Sequence, residues 1–337
     1  MEREYVGVDL HRRRSVIYRM NAAGEKLECV RVPNEPGVFA EAISHAAPGS
    51  DVVIEATYGW YWAADLVAEL GYRVRLANPH GNDWGKRRVK NDERDARDLA
   101  DLLRLGRLAE AWVAPPAVRE LRELVRFRAK LVNLRGGLKA QAHAVMAKNG
   151  VLPAVGDMWG PTGTAQFDSL DLADAYTHRL EVLRELIAGY DHQIQVLDRD
   201  IHRRLRADRG YQAVQAIHGV GRVFAAVFVA EIGDVDRFDS PAALCSWAGL
   251  TPWHRESDTK VHRGQVTKQG SRLVRWAAIE AVARYHGGDH LAAKFHQIAD
   301  RRGTTKANVA IARRVLTLVY YGLRDGEIRC LTHPQAA

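Results

Sequence analysis

Short apolar runs separated by polar turns dominate the first hundred residues. These runs predict five strands, with helical patterns between the later ones. Three early strands joined by short turns, followed by alternating strands and helices, favour a mixed sheet flanked by helices. The chain is therefore expected to begin with an α/β domain. The predicted strands are Tyr5–Leu10, Ser15–Met20, Lys26–Val32, Asp51–Thr57 and Arg73–Asn78.

Residues 111–208 follow a helical pattern instead. A long helix is predicted from Ala117 to Lys148, with apolar residues at every seventh position, and a second helix repeats apolar residues in steps of four and three, a spacing typical of coiled coils. We expect these helices to pair with each other or with another subunit, because an isolated helix would leave its apolar stripe in water. The stripes are Leu124, Leu131, Leu138 and Val145, then Leu183, Ile187, Tyr190, Ile194, Leu197, Ile201 and Leu205.

The third predicted region, residues 209–330, is expected to be mainly helical. It opens with the turn Ile217-His218-Gly219-Val220-Gly221 before an apolar helix at 222–232. The turn resembles a helix-hairpin-helix turn, in which backbone N–H groups contact phosphate. A turn that only packs two helices together is an equally good interpretation.

Amino-acid composition and net charge indicate what kind of protein this is. The chain has 337 residues, of which 47% are hydrophobic, so it can bury a sizeable core. A net charge of +8 favours a polyanionic partner. The three cysteines are widely spaced and predict neither a disulfide framework nor a zinc site. We see no membrane-spanning segment or export signal, and expect a cytoplasmic protein that does not act at a membrane.

Four carboxylates form the strongest chemical pattern. Asp9 and Glu55 each end an apolar strand, where an unpaired ion would lose several kcal/mol of solvation. Asp92 and Asp95 are three residues apart on a predicted helix and share one face. Such oxygen ligands suit Mg²⁺, which supports phosphoryl transfer. Alternatively, Asp9 turns a hairpin, Glu55 pairs with an arginine, and the two others cap a helix.

One histidine lies close to this pattern. His11 follows Asp9 by two positions, and we expect it to support the ligands or to face substrate rather than to bind metal. The 14 histidines of the chain show no ligand spacing elsewhere.

The residues resemble a known family. The motifs are Gly7-Val8-Asp9-Leu10-His11, Ile54-Glu55-Ala56-Thr57, Asn78-Pro79, Lys90-Asn91-Asp92-Glu93-Arg94-Asp95-Ala96, Ala248-Gly249-Leu250-Thr251-Pro252, Glu256-Ser257 and Lys268-Gln269-Gly270-Ser271-Arg272-Leu273-Val274-Arg275. In order and spacing they are similar to those of DEDD-type insertion-sequence transposases, which are relatives of the Piv DNA invertase. The resemblance covers nearly the whole chain.

The resemblance implies a fold and a mechanism. Residues 1–110 would form a ribonuclease-H-like (RuvC-like) domain that holds Mg²⁺ through Asp9, Glu55, Asp92 and Asp95. Residues 209–330 would supply a nucleophilic serine, Ser257. The family's partners are donor and target DNA and a structured guide RNA, and its members act as homo-oligomers, dimers or tetramers. This chain departs from the family at Asp258, where glycine is usual.

Basic residues predict where nucleic acid would bind. The helix at 117–148 has eight Lys or Arg and two Glu, so one face could follow a phosphate backbone. A second basic block flanks Ser257. A solvated surface is the alternative for both. The candidate residues are Arg119, Arg122, Arg126 and Lys130, then Lys260, Arg263, Lys268, Arg272 and Arg275.

Three other functions compete with strand transfer. A metal-dependent endonuclease or Holliday-junction resolvase would share the carboxylates but attack with water, which would leave Ser257 without a role. An actin-like sugar kinase or ATPase would need a second glycine-rich phosphate loop, which the sequence lacks. A non-catalytic DNA-binding scaffold would need partners other than metal for Asp9 and Glu55.

Overall fold

The computed structural model describes residues 3–79, 81–82, 91–257, 260–284 and 290–332. Two compact units are present, Met1–Ala114 and Pro115–Ala337. The coiled-coil region and the C-terminal region thus fall within one unit. The finer division into domains 1–110, 111–208 and 209–330 stays a prediction.

Unit 1 is built on a six-stranded mixed sheet. Its order is β3-β2-β1-β4-β5-β6. Strands β1, β4 and β5 run parallel, while β2, β3 and β6 are antiparallel to their neighbours. The five predicted strands are confirmed, and the short β6 is added to them. The strands are β1 Tyr5–Leu10, β2 Arg14–Met20, β3 Lys26–Pro33, β4 Asp51–Glu55, β5 Arg73–Ala77 and β6 Glu110–Ala111.

Helices cover both faces of this sheet. Val6 and Val8 pack with residues of α1 and α2, whereas Tyr5 packs with Ala96 and Ala100 of α3. Because successive residues of a strand point to opposite faces, this alternation places α1 and α2 on one face and α3 on the other. The expected mixed α/β architecture is confirmed. The helices are α1 Pro36–Ser44, α2 Trp60–Glu69 and α3 Asp92–Arg104.

Unit 2 is mainly helical, as expected. A two-stranded hairpin interrupts the helices and was not predicted from the sequence. The helices are α4 Pro116–Lys148, α5 Pro161–Asp168, α6 Asp174–Leu205, α7 Arg209–Val214, α8 Arg222–Ile232, α9 Pro241–Trp247, α10 Arg272–Ala283, α11 His290–Arg302, α12 Thr304–Asp325 and α13 Arg329–Thr332, and the strands are β7 Pro252–Ser257 and β8 Lys260–Val266.

Helices α4 and α6 pair with each other in antiparallel orientation. Arg128 Nε lies 2.7 Å from Asp198 Oδ1. About two helical turns further along, Arg135 contacts Asp191. Residue numbers rise on one helix as they fall on the other, which defines the antiparallel direction. Apolar side chains of both stripes are buried, including Leu131, Val145, Leu183, Ile187, Ile194, Ile201 and Leu205. Of the two expected arrangements, the structure shows pairing within the chain.

The turn before α8 packs closely against α10. Gly219 has φ +81°, and a Cβ at this position would lie 2.3 Å from the carbonyl oxygen of Ala281. Glycine is therefore required both by the left-handed backbone and by the close approach. This contact gives the turn a structural role. Among the described residues, no helix is long and apolar enough to cross a membrane.

Candidate functional site

Asp9 lies on the face of β1 that α3 covers. Tyr5 and Gly7 face α3, and Asp9 is two residues further along the strand. A Cβ at Gly7 would lie 2.0 Å from the carbonyl oxygen of Ala96 and 2.8 Å from the amide nitrogen of Ala100. Only glycine allows α3 to pack this close to β1. The close packing brings the N-terminus of α3 beside Asp9.

Glu55 ends the neighbouring parallel strand. Val8 of β1 pairs with Ile54 of β4, so Asp9 and Glu55 are the next residues of the two strands. Val53 packs with Leu99 of α3, and Glu55 follows it by two positions. Strand periodicity therefore places Glu55 on the same face of the sheet as Asp9. The carboxyl ends of two adjacent strands each contribute one acid.

The N-terminus of α3 contributes two more acids. Asn91 caps the helix, and its side chain accepts a hydrogen bond of 3.1 Å from the amide of Glu93. The N-cap is therefore Asn91, and not Asp92 or Asp95, for which the sequence left a capping role open. Their spacing places them on one face, and the positive end of the helix dipole favours acidic residues in this first turn.

Three ligand atoms come together at this end of the sheet. Oxygens of Asp9 and Asp92 and a ring nitrogen of His11 all lie within 4.8 Å of one another. His11 Nε2 is 3.0 Å from Asp9 Oδ2 and 3.5 Å from Asp92 Oδ1. The sequence predicts that His11 supports the ligands or faces substrate, and the structure places its ring near both carboxylates. The spacing of two residues between Asp9 and His11 indicates this proximity, because residues two apart in an extended chain point to the same side.

The surroundings of Asp9 destabilise its ionised carboxylate. Asp9 is 8% exposed, and within the described part of the chain its Oδ2 accepts no hydrogen bond of normal geometry. Burial raises the pKa of Asp9, and the nearby Asp95 and Asp92 raise it further, although His11 opposes them. A bound cation would compensate this buried charge. The donor set therefore fits a divalent metal.

Asp92 is in the opposite electrostatic situation. Burial alone would raise its pKa, but His11, Arg14 and Arg31 outweigh it, so that the pKa is lowered. Arg14 Nη2 lies 3.2 Å and Arg31 Nη2 3.8 Å from Asp92 Oδ2. The site thus has two arginines from β2 and β3 on its rim. Arg14 and Arg31 were not among the site residues predicted from the sequence.

The predicted basic face of α4 is largely engaged with α8. Arg119 is buried, and Arg122 donates to the carbonyl oxygens of Ala230 and Glu231 at 2.8 and 3.0 Å. Arg126 donates to both carboxylate oxygens of the buried Glu231, at 2.6 and 3.0 Å. These contacts satisfy the C-terminus of α8 and a buried acid. Lys130 is exposed, and the nucleic-acid role of this face stays a prediction.

Ser257 is the last residue of β7, where it pairs with Lys260 of β8. It therefore lies at the end of a hairpin whose two connecting residues include Asp258, which is outside the described residues. Arg263 also lies on β8, opposite His254. Lys268 and Arg272 are exposed, whereas Arg275 donates to the carbonyl oxygen of Ala248 at 2.9 Å.

Two of the sequence motifs, at residues 248–252 and 268–275, meet at the base of this hairpin. The amides of Thr267 and Lys268 each donate a 3.1 Å hydrogen bond, to the carbonyl oxygens of Thr251 and Gly249. A Cβ at Gly270 would lie 1.8 Å from the carbonyl oxygen of Trp247. This tight packing fixes both ends of the β7–β8 hairpin. The structure thereby gives a physical role to the glycines of the two motifs.

Comparison with known proteins identifies two matching domain families in the chain. Residues 6–149 match the DEDD transposase model of the IS110 type, and residues 211–297 match the model of the Transposase IS116/IS110/IS902 family. The chain therefore contains two transposase domains of the IS110/IS116 family. The first matched region contains all four candidate carboxylates, and the second contains Ser257.

Individual relatives match parts of this chain. A putative transposase of Sinorhizobium fredii, y4qE, is 30% identical over 198 residues, which are 59% of this chain but 48% of the relative. The transposase for insertion sequence element IS1111A of Coxiella burnetii is 24% identical over 296 residues, 83% of this chain and 79% of the relative. The pilin gene-inverting protein of Moraxella bovis is 30% identical over 143 residues, 41% and 44% of the two chains. The chain thus spans about half the length of two of these relatives.

Proposed function

We propose that the protein is the transposase of an insertion sequence and catalyses DNA strand cleavage and exchange. The observation that carries this proposal is the buried carboxylate of Asp9, which lies beside Asp92 at the carboxyl end of two parallel strands. The two matched transposase domains and the transposase names of the relatives support it. Unit 1 would be a RuvC-like domain, since its strand order and its acidic edge suit that fold.

The residues of unit 1 would hold Mg²⁺ next to the scissile phosphate. Asp9, Glu55, Asp92 and Asp95 are the proposed ligands, and Gly7 lets α3 bring the last two into place. When bound, the metal would stabilise charge that develops on the phosphate oxygens. Arg14 and Arg31 are close enough to Asp92 to add positive charge at the rim.

Substitution of the carboxylates tests the metal site. Asp9→Ala, Glu55→Ala, Asp92→Ala and Asp95→Ala should each abolish strand cleavage in Mg²⁺ while nucleic-acid binding remains. A calorimetric Mg²⁺ titration should show binding in the wild type and its loss in Asp9→Ala. Cleavage by Asp9→Ala at the wild-type rate would overturn the proposal, and a wild type that does not bind Mg²⁺ would favour a scaffold.

We further propose that Ser257 is the nucleophile. Its Oγ would attack a backbone phosphorus, so that a serine O–P bond forms while one P–O bond of the strand breaks. The departing deoxyribose oxygen takes up a proton, and the serine proton passes to a base. The bond energy is kept in the phosphoserine link, which allows rejoining without ATP. The hairpin position of Ser257 and the nearby Lys260 support this role.

A denaturation-resistant adduct with DNA tests Ser257. Ser257→Ala should lose both adduct and recombination. Ser271 is a poor control because its Oγ caps α10 and donates to the buried Glu231 at 3.0 Å. The exposed Ser246 on α9 is a better one, and Ser246→Ala should retain both activities. Cleavage by wild type without any adduct would instead favour an endonuclease or junction resolvase that attacks with water.

The proposed partners are donor DNA, target DNA and a structured guide RNA. Sequencing of RNA that copurifies with the protein tests the guide directly: a single structured species encoded beside the gene is expected, and a random sample of cellular RNA would contradict it. Mass measurement of the complex tests the proposed dimer or tetramer. The family resemblance supports both proposals.

The basic face of α4 can be tested separately. If Arg119, Arg122 and Arg126 contact phosphates, their replacement by Gln should lower the slope of log affinity against log salt by roughly 0.7 to 0.9 for each lost contact. Their contacts with α8 predict loss of stability as well. Lys130→Gln is the informative comparison, because Lys130 is exposed: a changed slope with unchanged stability would support binding at this face.

A further inference from the structure

The ring of His11 lies between the carboxylates of Asp9 and Asp92. Its Nε2 lies 3.0 Å from Asp9 Oδ2 and 3.5 Å from Asp92 Oδ1. Ligand atoms that share one ion at distances near 2.1 Å are separated by no more than about 4.2 Å. The two distances satisfy this limit, and the ring contacts both carboxylates from one nitrogen.

The backbone around His11 is held in place by a network of hydrogen bonds that reaches the buried Ser15. The amide of His11 donates to the carbonyl oxygen of Arg14 at 3.1 Å, and Asn34 Nδ2 donates to the carbonyl oxygen of His11 at 2.6 Å. Asn34 is itself held by the fully buried Ser15, whose Oγ donates to Asn34 Oδ1 at 2.6 Å. Such support fixes the starting point of the imidazole side chain, as is typical of ligands.

The contact between His11 and Asp9 differs from an ordinary histidine–carboxylate pair. The distance is short, but the direction is not that of a normal hydrogen bond, so Oδ2 of Asp9 keeps an unused lone pair. His45 provides the contrast, since its Nδ1 makes hydrogen bonds of 3.1 and 3.2 Å to both oxygens of Glu28. An atom placed between Nε2 and Oδ2 would use both lone pairs.

We propose that His11 binds the metal through Nε2 and makes the site prefer Mn²⁺ to Mg²⁺. The inference rests on the proposed metal-dependent function and specifies the ion of that same site. Mg²⁺ prefers oxygen ligands, whereas imidazole nitrogen favours first-row transition metals. An Asp-His-Asp set therefore strengthens Mn²⁺ binding with little gain for Mg²⁺. This preference separates the site from one built of carboxylates alone.

Pulsed EPR of the Mn²⁺-loaded full chain, without a histidine tag and in a buffer free of nitrogen ligands, tests the inference. The wild type should show a ¹⁴N hyperfine coupling to bound Mn²⁺. This coupling should disappear in His11→Gln and remain in His45→Gln, the matched control in which a histidine beside a carboxylate is replaced. A coupling that persists in His11→Gln, or is absent from Mn²⁺-loaded wild type, would overturn the inference.

Calorimetric titrations with Mn²⁺ and Mg²⁺ provide a second readout. In His11→Gln the affinity for Mn²⁺ should fall by about tenfold or more, and the affinity for Mg²⁺ much less. An unchanged ratio of the two affinities, in a variant that unfolds at the wild-type temperature, would overturn the inference while the metal-dependent function stands. A wild type that binds neither ion would overturn both, so the two failures are distinguishable.

Discussion

Two buried acids, one at each end of strand β4, have opposite electrostatic surroundings. One is Asp51 on β4 itself, and the other is Asp9 on the neighbouring strand β1. Asp51, at the first residue, is fully buried and accepts hydrogen bonds from Arg3 at 2.8 Å and from Arg73 at 2.9 and 3.0 Å. Burial would raise its pKa, but the two arginines lower it to about 2. At the other end, beside Glu55, Asp9 has acids for neighbours and a raised pKa.

The difference separates a structural carboxylate, Asp51, from a proposed metal ligand, Asp9. Burial acts on both acids, so burial by itself does not distinguish them. The partners do, because arginines stabilise the ionised form of Asp51 whereas Asp92 and Asp95 destabilise that of Asp9. A protein keeps such an arrangement where a ligand supplies the missing positive charge. The comparison therefore points to the carboxyl end of the sheet as the site.

The largest expected effect is that of Asp9→Asn. It should lower the rate of metal-dependent strand cleavage on the order of a thousandfold, since it removes several kcal/mol of metal-mediated stabilisation. The metal-free variant should be more stable than wild type by about 1 kcal/mol, because an unfavourable charge is gone. Cleavage assays and urea unfolding in EDTA measure the two effects. A metal-free variant less stable than wild type would remove the contrast with Asp51.

Gly7→Ala should disturb the site without changing any charge. Its Cβ would meet the backbone of α3 at Ala96, so we expect a loss of about 3 kcal/mol in unfolding free energy and weaker Mn²⁺ binding. Urea unfolding and calorimetry measure these effects. Gly37→Ala is the control, because a Cβ there has no heavy atom within 4 Å. Wild-type metal affinity in Gly7→Ala would show that the position of α3 does not matter.

Asp51→Asn should have the opposite profile to Asp9→Asn. Loss of the ion pairs with Arg3 and Arg73 should lower the unfolding free energy by about 2 kcal/mol, while metal affinity and cleavage stay at wild-type levels under conditions where the variant is folded. Urea unfolding, calorimetry and cleavage assays measure these effects. A large loss of metal affinity in folded Asp51→Asn would mean that the two ends of the sheet are coupled.

The smallest effect is the pH dependence of the Asp51 contribution. The pKa is about 3.9 in an unfolded chain and about 2 in the folded protein. A lowered pKa stabilises the folded state fully above the unfolded value and progressively less as pH falls toward the folded value. The difference in unfolding free energy between wild type and Asp51→Asn should therefore shrink between about pH 4 and pH 2. A difference that is constant over this range would contradict the assigned role of the arginines.

Much of the fold could be predicted from local sequence pattern. Strands β1 to β5 and the helix α8 lie within one or two residues of their predicted bounds, because period-two and helical apolar patterns are local properties. The hairpin β7–β8 was missed, since its polar sequence lacks a clear alternation. The packing of residues 249–252 against 267–270, which anchors that hairpin, joins distant segments and has no local signal.

The candidate site divides in the same way. The sequence by itself determined which acids end apolar strands and begin a helix, because a charge after a buried strand is conspicuous along the chain. Only the tertiary structure decided that His11 joins Asp9 and Asp92, that Arg122 and Arg126 bind α8, and that Asp51 is neutralised by arginines. These outcomes depend on which side chains meet across the sheet and between helices, and the electrostatic meaning of a buried charge is set by those neighbours.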